Sequence, residues 1–329
     1  MKNIAVVCGG YSKEEVISIQ SAEQIMEAID KTKYKVFSVI ISKDSWSVKT
    51  ESGLIPIDKN DFSFSNDDIK IVFDAVFMAI HGTPGEDGKL QSYFEMLNIP
   101  VTTSNSFVSA LTFNKYACKA FLQNFGVLSA NAYLLRKGEK YEADDIEEEV
   151  GLPMFVKPNS GGSSFGVTKV KRSEDIIPAI EKAFAEDDEI IIEEFIEGGE
   201  FTCGVFCSEN ENIVLPLTEI VSKTEFFDFE AKYKGLSDEI TPARLDNDQT
   251  NECQELSYDI YKLLNCSGIV RIDYLLRDDQ FYFMEANTVP GMSKESIVPQ
   301  QVRAYGMSVT EFYTLLIEDA ISRLGEGLI

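Results

Sequence analysis

Residues 268–274 read Gly-Ile-Val-Arg-Ile-Asp-Tyr, and residues 281–287 read Phe-Tyr-Phe-Met-Glu-Ala-Asn. The Asp278-Asp279 pair between them is a turn signal, so the two runs predict a β-hairpin. Folding at this turn places Asp273 and Glu285 nearly opposite each other. Side chains opposed on one face have Cβ atoms about 5 Å apart. The hairpin therefore brings two carboxylates together on neighbouring strands.

Other polar side chains share that face of the predicted hairpin. Period-two alternation puts Arg271 beside Asp273 on the first strand and Asn287 beside Glu285 on the second. Two carboxylates and an amide supply the hard oxygen ligands that suit Mg²⁺ alongside phosphate oxygens. The alternative is a solvated charged face on an edge hairpin, but apolar neighbours such as Ile272 argue against full exposure. We predict a metal site formed by Asp273, Glu285 and Asn287.

A Ser/Gly loop earlier in the chain is a second candidate binding element. Lys157 lies at the end of an apolar strand, and residues 159–166 read Asn-Ser-Gly-Gly-Ser-Ser-Phe-Gly. Backbone N–H groups and hydroxyls in such a loop can hold phosphate oxygens. The loop lacks the Gly-Lys-Ser/Thr ending of a P-loop, and by itself such a loop usually only turns the chain. Together with the lysine before it and the carboxylate hairpin after it, the loop predicts a nucleoside-triphosphate site with Mg²⁺.

The rest of the pattern divides the chain into three units, giving an α/β protein with an α+β centre. Residues 1–103 alternate apolar strands with amphipathic helices, which is typical of an open parallel sheet. Ligands of such sheets bind at the carboxyl ends of the strands, where Gly9-Gly10 and His81 fall. Residues 104–197 predict a central α+β unit, and residues 198–329 a third unit that contains the hairpin. A length of 329 residues fits two or three domains.

Composition excludes several classes of function. With 55 acidic and 30 basic residues the net charge is -25, so the surface repels nucleic acid and anionic lipid. No apolar run approaches the ~20 residues of a membrane span, and the N-terminus does not read as an export signal. The six cysteines are interpreted as buried free thiols of a reducing compartment. We therefore predict a cytoplasmic protein that binds neither nucleic acid nor membrane.

The motifs together resemble a known family, the D-alanine–D-alanine ligases of the ATP-grasp superfamily. The resemblance covers essentially the whole chain and includes seven elements in order: Gly9-Gly10 with a following glutamate; Ile80-His81-Gly82 with Gly85-Glu86-Asp87-Gly88; Phe155-Val156-Lys157-Pro158; Gly162-Ser163-Ser164-Phe165-Gly166; Glu230-Ala231-Lys232-Tyr233; Arg271-Ile272-Asp273; and Glu285 to Met292. It implies a three-domain ATP-grasp fold. The N-terminal domain is an open parallel sheet, and ATP is held between the central and C-terminal domains.

The resemblance assigns nine residues to ATP: Lys115, Lys157, Ser163, Glu193, Glu194, Phe195, Ile196, Glu200 and Lys232. Among them, Lys115 and Lys157 match the two lysines that hold the phosphates. The segment 193–196 matches the hinge that reads adenine, and Glu200 matches the carboxylate that takes the ribose hydroxyls. The hairpin ligands would then hold two Mg²⁺ or Mn²⁺ ions. A requirement for a monovalent cation is left open.

The first D-alanine is assigned to the N-terminal unit. Glu14 matches the carboxylate that binds its ammonium group, and His81 lies in the family's substrate loop. From position alone Glu14 would be an ordinary acid at a helix N-terminus. Glu15 remains an alternative, because the family usually has a Glu-x-Glu-Val-Ser run here and this chain departs from it. Ser163 and Tyr233 match the residues that link to Glu14 and close the site.

The second substrate is assigned to the region that follows the hairpin. Arg271 and the backbone N–H of Gly291 match the groups that stabilise the oxyanion, and Ser296 and Ile297 match the pair that receives the second carboxylate. Residues 294–295 read Lys-Glu, where the family often has small hydroxylated residues or a histidine. These two residues either lie outside the pocket or alter the preference for the second substrate.

The resemblance implies a reaction in which ATP activates one D-alanine as D-alanyl phosphate and the second D-alanine attacks it. The products are D-Ala-D-Ala, ADP and phosphate, for peptidoglycan precursor synthesis. Water has to be excluded from the intermediate, so we expect a lid at about residues 222–240. Tyr233 resembles the dipeptide-forming members, and a homodimer is expected. The alternatives are a D-Ala–D-Ser or D-Ala–D-lactate ligase, or a non-catalytic ATP-grasp nucleotide sensor.

Overall fold

The computed structural model describes residues 1–162, 165–222 and 237–326. The elements of its N-terminal region are β1 (Lys2–Gly9), α1 (Glu15–Ala28), β2 (Tyr34–Ile41), β3 (Trp46–Thr50), β4 (Gly53–Pro56), β5 (Phe64–Asn66), β6 (Ile69–Ile71), β7 (Ala75–Met78) and α2 (Lys89–Met96). The first sheet has the order β4-β3-β2-β1-β7. The central strand β1 pairs in parallel with β2 and β7, as the apolar run at the N-terminus predicts.

The first sheet is parallel only in part. Strands β2 and β3 pair antiparallel, and so do β3 and β4. The connection from β2 to β3 is a tight turn in which the Ser42 N–H donates to the Ser45 carbonyl at 2.9 Å. A parallel crossover needs a dozen or more residues, so this short turn forces a hairpin. The expected open parallel sheet is therefore extended by an antiparallel edge.

The second sheet is antiparallel throughout, with the order β10-β9-β11-β8. Its region consists of α3 (Ser106–Phe113), α4 (Lys115–Gln123), β8 (Ala132–Arg136), α5 (Ala143–Val150), β9 (Met154–Pro158), β10 (Thr168–Val170), α6 (Ile176–Phe184) and β11 (Glu189–Glu194). Helices α5 and α6 cover one face of the sheet and bury Ile146, Ile176 and Ile180 against it. The other face is left for the cavity described below.

The region of the third sheet contains β12 (Gly199–Cys207), β13 (Asn212–Val214), β14 (Thr218–Ser222), β15 (Ser237–Ile240), α7 (Asn247–Leu263), β16 (Ile269–Arg277), β17 (Gln280–Asn287), α8 (Ile297–Tyr305) and α9 (Val309–Glu326). The sheet has the order β15-β14-β12-β16-β17, with β13 paired to β12. The predicted hairpin is confirmed: β16 and β17 are joined by Asp278 and Asp279, both at positive φ.

One apolar cluster joins the first sheet to the third. Helix α9 contributes Phe312 and Leu316 to a buried cluster that also contains Ile4 of β1 and Phe206 of β12. Because this cluster ties both sheets to one helix, the loops at their ends are held in fixed positions around a common space. Within the described ranges, no helix combines the length and the apolar composition that crossing a membrane requires. The domain bounds 1–103, 104–197 and 198–329 stay predictions.

Candidate active site

A cavity of about 770 Å³ lies where loops and strand ends of the three sheets converge. Fourteen of the predicted site residues line it: Glu14, His81, Lys115, Lys157, Phe195, Ile196, Glu200, Arg271, Asp273, Glu285, Asn287, Gly291, Ser296 and Ile297. The side chains of Glu193 and Glu194 are not part of its wall. Ser163, Lys232, Tyr233 and most of the expected lid lie outside the described residues. Residues far apart in the sequence thus converge on one space.

The hairpin has the register that its sequence predicts. Asp273 pairs with Glu285 and Arg271 with Asn287, and a bulge follows Asp273. The Arg271 guanidinium donates two hydrogen bonds to the Asp273 carboxylate, at 2.8 Å and 2.7 Å. Burial by itself lowers the pKa of Arg271, but Asp273 outweighs it and holds that pKa above its ordinary value. The result is a fixed cation beside two carboxylates in the cavity wall.

The donor set at this hairpin fits a magnesium ion that also binds phosphate oxygens. Asp273, Glu285 and Asn287 provide two carboxylates and one amide on one face. In the part of the chain that the structure describes, no cluster of three or more His, Cys, Asp and Glu side chains is arranged to hold a metal. The two carboxylates and the amide of the hairpin leave coordination positions open for phosphate oxygens and for the water molecules that Mg²⁺ usually keeps.

The first turn of helix α4 supplies a lysine to the same wall. Asn114 caps the helix by accepting a hydrogen bond from the Ala117 N–H at 2.9 Å, which fixes Lys115 at the first helical position. The Lys115 ammonium donates to the Gly161 carbonyl at 2.5 Å and lies 3.5 Å from the Glu285 carboxylate. Lys115 therefore bridges the Ser/Gly loop and the hairpin.

Glu193 is buried behind the cavity wall between two lysines. Its Oε2 lies 2.5 Å from the Lys157 ammonium, and its Oε1 contacts the Lys119 ammonium. Burial raises the pKa of Glu193, but the two ammonium groups outweigh it and hold that pKa at about 2. Sequence reasoning missed Lys119. The available signal was its position one helical turn after Lys115, on the same helix face.

The remaining hinge residues divide between the cavity and the central sheet. The Glu194 carboxylate accepts a hydrogen bond from the Asn131 N–H at 2.8 Å, outside the cavity. Phe195 lines the cavity, and its ring lies 5.9 Å from that of Phe155. Ile196 is buried beside it. The segment thus presents apolar side chains to the cavity, while its two carboxylates have other partners.

The N-terminal loops place two carboxylates and the single histidine close together. Glu14, not Glu15, lines the cavity, and a Cβ on Gly162 of the Ser/Gly loop would lie 3.5 Å from its Oε2. Glu86 accepts a hydrogen bond from the Gly82 N–H at 2.8 Å. Burial and the neighbouring Glu14 raise the pKa of Glu86 to about 8. Burial also lowers the pKa of His81, against the attraction of Glu14.

Glu86 was not among the predicted site residues, although it is part of the Gly-Glu-Asp-Gly motif. Its position on the cavity wall follows from the turn at Gly85, where a Cβ would lie 2.3 Å from the Ile80 carbonyl oxygen. Only glycine fits such an approach, so the loop folds back on the end of the preceding strand. That fold directs the next residue toward Glu14.

The opposite end of the cavity is formed around the start of helix α8. Ser296 precedes the helix, and its hydroxyl lies 2.7 Å from that of Ser293. Gly291 packs against it so closely that a Cβ there would lie 2.8 Å from the Ser296 Oγ. Glu239, which sequence reasoning missed, also lines this end and accepts a hydrogen bond from Gln300 at 2.7 Å. Burial raises the pKa of Glu239, while Gln300 opposes the shift.

Lys294 and Glu295, the two residues near this end that differ from the family pattern, have different environments. Lys294 is exposed and its N–H donates to the Gln24 side chain at 2.9 Å, so it lies outside the cavity wall. Glu295 is exposed as well, but it contributes to the lining at the mouth. Of the pair, only Glu295 is placed to meet a ligand.

The sequence of the chain matches the models of a known protein family. The family model for the D-ala D-ala ligase N-terminus matches residues 3–104, and that for the D-ala D-ala ligase C-terminus matches residues 121–318. The D-alanine–D-alanine ligase of Parabacteroides distasonis is 49% identical over 322 residues, covering 97% of this chain and 98% of the relative.

Solved structures are similar over nearly their whole length. The VanG D-Ala:D-Ser ligase from Enterococcus faecalis superimposes with a TM-score of 0.86 at 32% identity, covering 98% of this chain and 99% of that one. The D-alanine–D-alanine ligase from Bacillus anthracis complexed with ATP gives a TM-score of 0.80 at 28% identity, covering 99% and 100%.

Proposed function

This chain belongs to the D-alanine–D-alanine ligase family, and we propose that its cavity joins two D-alanines at the expense of ATP. The products are ADP, phosphate and D-Ala-D-Ala, and this dipeptide is used in peptidoglycan precursors. The observation that carries the proposal is the match to ligases along the whole chain, combined with an intact constellation of Arg271, Asp273, Glu285 and Asn287 in one wall. A nucleotide sensor without chemistry has no need of all four groups.

ATP would occupy the part of the cavity between the second and third sheets. Lys115 and Lys157 are placed to hold its phosphates, because both line the cavity close to the Ser/Gly loop and the hairpin. Phe195 and Ile196 offer an apolar surface for adenine, and Glu200 would take the ribose hydroxyls. The lysines matter because moving a phosphoryl group onto a carboxylate brings negative charges together.

Asp273, Glu285 and Asn287 would hold the magnesium ions. When bound, Mg²⁺ would neutralise charge on the phosphates during transfer. The chain's own contribution is to fix these ligands: the bidentate contact from Arg271 holds Asp273 in one orientation, and Lys115 lies beside Glu285.

The first D-alanine would bind with its ammonium group at Glu14 and its carboxylate toward the phosphates. One carboxylate oxygen attacks the γ-phosphorus of ATP, ADP leaves, and D-alanyl phosphate forms. The second D-alanine, after its ammonium group has lost a proton to solvent, attacks the acyl carbon through its amine, and the phosphate leaves with the bridging oxygen as the new amide nitrogen loses a second proton. Arg271 and the Gly291 N–H would stabilise the oxyanion of that step. The second carboxylate would be received at Ser296 and Ile297.

Several parts of the proposal concern residues outside the described ranges. Ser163 and Tyr233 would connect to Glu14, Lys232 would contact ATP, and a lid at about 222–240 would exclude water from the acyl phosphate. These assignments stay predictions from the family resemblance.

The second candidate is a D-Ala–D-Ser ligase. The specific observation in its favour is the similarity to the VanG D-Ala:D-Ser ligase. The D-alanine–D-alanine ligases of Parabacteroides distasonis and Bacteroides fragilis are 49% and 47% identical to this chain, against 32% for the VanG ligase, which favours the first candidate. Glu239 and Glu295 lie at the end of the cavity assigned to the second substrate, where a serine hydroxyl would need a partner.

We also propose a cytoplasmic homodimer. Met96 on α2 and Phe107 on the adjacent α3 are 75% and 71% exposed, which places two large apolar side chains on neighbouring helices. A second copy of the chain would cover them. All six cysteines are free, as expected in a reducing compartment, although Cys207 and Cys266 are only partly buried.

The test is to incubate the pure protein with ATP, Mg²⁺ and D-Ala, alone or with D-Ser or D-lactate, and to identify the products by mass. D-Ala-D-Ala formed from D-Ala alone is the expected result. Mixed products in preference to D-Ala-D-Ala would favour the second candidate. ATP binding without turnover under any condition would favour the nucleotide sensor and contradict the proposal.

A further inference from the structure

Lys119 is a buried lysine outside the cavity wall. Its side chain is 3% exposed, and its ammonium contacts the Glu193 carboxylate. Transfer of an ammonium group from water into a protein interior costs several kcal/mol unless a partner compensates for it. Hydrophobic residues of similar size fill such positions without that cost. The ammonium group at this position therefore needs a functional explanation.

The Glu193 carboxylate is shared between two lysines with different surroundings. Its Oε1 contacts Lys119, and its Oε2 contacts Lys157 at 2.5 Å. Lys157 lines the cavity, whereas Lys119 does not. The pKa of Glu193 is about 2, since the attraction of both ammonium groups exceeds the effect of burial, so the carboxylate is ionised. Burial lowers the pKa of Lys119, whereas the Glu193 carboxylate raises it. Within this group two lysines face one carboxylate, so Lys157 does not have to neutralise Glu193 alone.

The sheet register makes this arrangement rigid. Lys157 pairs with Ile191, and Glu193 pairs with Phe155, so Lys157 and Glu193 are diagonal neighbours on one face of adjacent strands. Lys119 reaches the same carboxylate from helix α4. The side chain of Glu193 is 6% exposed, so solvent does little to weaken either ion pair.

If Lys119 were removed from the group of Lys119, Lys157 and Glu193, Glu193 would pair with Lys157 alone. One carboxylate against one lysine is neutral, and both carboxylate oxygens could then draw the Lys157 ammonium away from the cavity. Lys119 prevents this by occupying one oxygen and balancing the carboxylate charge. The charge of Lys157 is thereby left for an anion in the cavity.

We propose that Lys119 is a positioning residue for nucleotide binding, which compensates Glu193 so that Lys157 presents a full positive charge to the nucleotide phosphates. This inference rests on the proposed function, because it requires that phosphates bind beside Lys157. It predicts that Lys119 acts in proportion to the charge of the nucleotide and without touching it.

The experiment compares ADP with AMP by isothermal titration calorimetry without Mg²⁺. In Lys119→Met, ADP affinity should fall about tenfold, the low end of the effect of losing one charge-assisted interaction. AMP affinity should fall by about fivefold, because AMP carries about two negative charges against about three on ADP. A matched control is Lys137→Met, since Lys137 pairs with Asp188 at 2.9 Å on the exposed surface. Lys119→Arg should stay close to wild type.

A double variant separates charge compensation from packing. Adding Lys119→Met to Glu193→Gln should change ADP affinity by less than about threefold, because Glu193→Gln leaves no carboxylate in this group to neutralise Lys157. The comparison of the double variant with Glu193→Gln also tests charge compensation by Lys119 if the Lys119→Met protein does not fold.

Three results would overturn the inference: equal losses for ADP and AMP, no loss for ADP, or an equal further loss of ADP affinity when Lys119→Met is added to Glu193→Gln. Wild-type protein that binds neither nucleotide would instead refute the proposed function, and the inference with it.

Discussion

Replacing Arg271 by methionine would remove the fixed cation of the cavity wall. The guanidinium makes two hydrogen bonds to Asp273, at 2.8 Å and 2.7 Å. The side chains of Arg271 and Asp273 are 16% and 10% exposed, so the pair is largely shielded from water. Methionine keeps the length and apolar volume of the stem but leaves the Asp273 carboxylate without this partner.

The size of the loss follows from that burial. Removing one partner of a buried ion pair costs about 3–5 kcal/mol of unfolding free energy. Arg172 and Asp175 provide the matched control, because they also pair through two hydrogen bonds, at 2.9 Å and 3.1 Å, but are 65% and 43% exposed. Arg172→Met should cost less than about 1 kcal/mol.

Two assays measure the effects of Arg271→Met. Urea unfolding without Mg²⁺ gives the loss of unfolding free energy. Saturating Mg²⁺ should recover part of that loss, since a divalent cation compensates the Asp273 charge that has lost its arginine partner. Steady-state kinetics should show kcat reduced about 10²–10³-fold, the usual cost of one oxyanion-stabilising donor.

An Arg271→Met protein that loses no more stability than Arg172→Met would contradict the contribution of this buried ion pair. An unchanged kcat would contradict the proposed catalytic role, because Arg271 would then have no part in stabilising charge during the reaction.

Three further predictions concern other parts of the molecule. Gly291→Ala should raise the KM for the second D-alanine about tenfold, because its Cβ would lie 2.8 Å from the Ser296 Oγ and displace it; an unchanged KM would contradict this. The raised pKa of Glu86, about 8 against an ordinary 4.5, means that the folded state holds its proton more tightly. Glu86 should therefore lower stability by about 1.4 kcal/mol per pH unit between those values, and urea unfolding at pH 5 and pH 8 should show a fall in stability that is smaller by this contribution in Glu86→Gln; an equal fall in both proteins would contradict this. If the proposed dimer forms, Met96→Glu should sediment as a monomer in sedimentation velocity, whereas a monomeric wild type would contradict the dimer.

The hairpin was predictable because its information is local. Period-two alternation and the Asp278-Asp279 turn lie within twenty residues, and together they fix the pairing of Asp273 with Glu285. The antiparallel edge of the first sheet was missed, because the sequence pattern gave no weight to the short turn at residues 42–45. A single polar turn decides between hairpin and crossover there.

The buried network at Glu193 was not predictable in the same way. Its three members lie on α4, β9 and β11, and nothing in their spacing indicates that these elements meet. The family resemblance assigns Glu193 to the hinge that reads adenine, which stays a prediction, and it gives no indication that the side chain lies between Lys119 and Lys157. Glu86 was hidden for a related reason, because its position depends on the tight approach of Gly85 to the preceding strand.

The central claim is that ATP activates the carboxylate of the first D-alanine before the peptide bond forms. The direct measurement uses D-alanine labelled with ¹⁸O in both carboxylate oxygens, with ATP and Mg²⁺, and determines the mass of the released phosphate. Attack by a carboxylate oxygen on the γ-phosphorus predicts one ¹⁸O atom in each phosphate, in step with D-Ala-D-Ala formation. Unlabelled phosphate would contradict the account, because the carboxylate would then never have been phosphorylated.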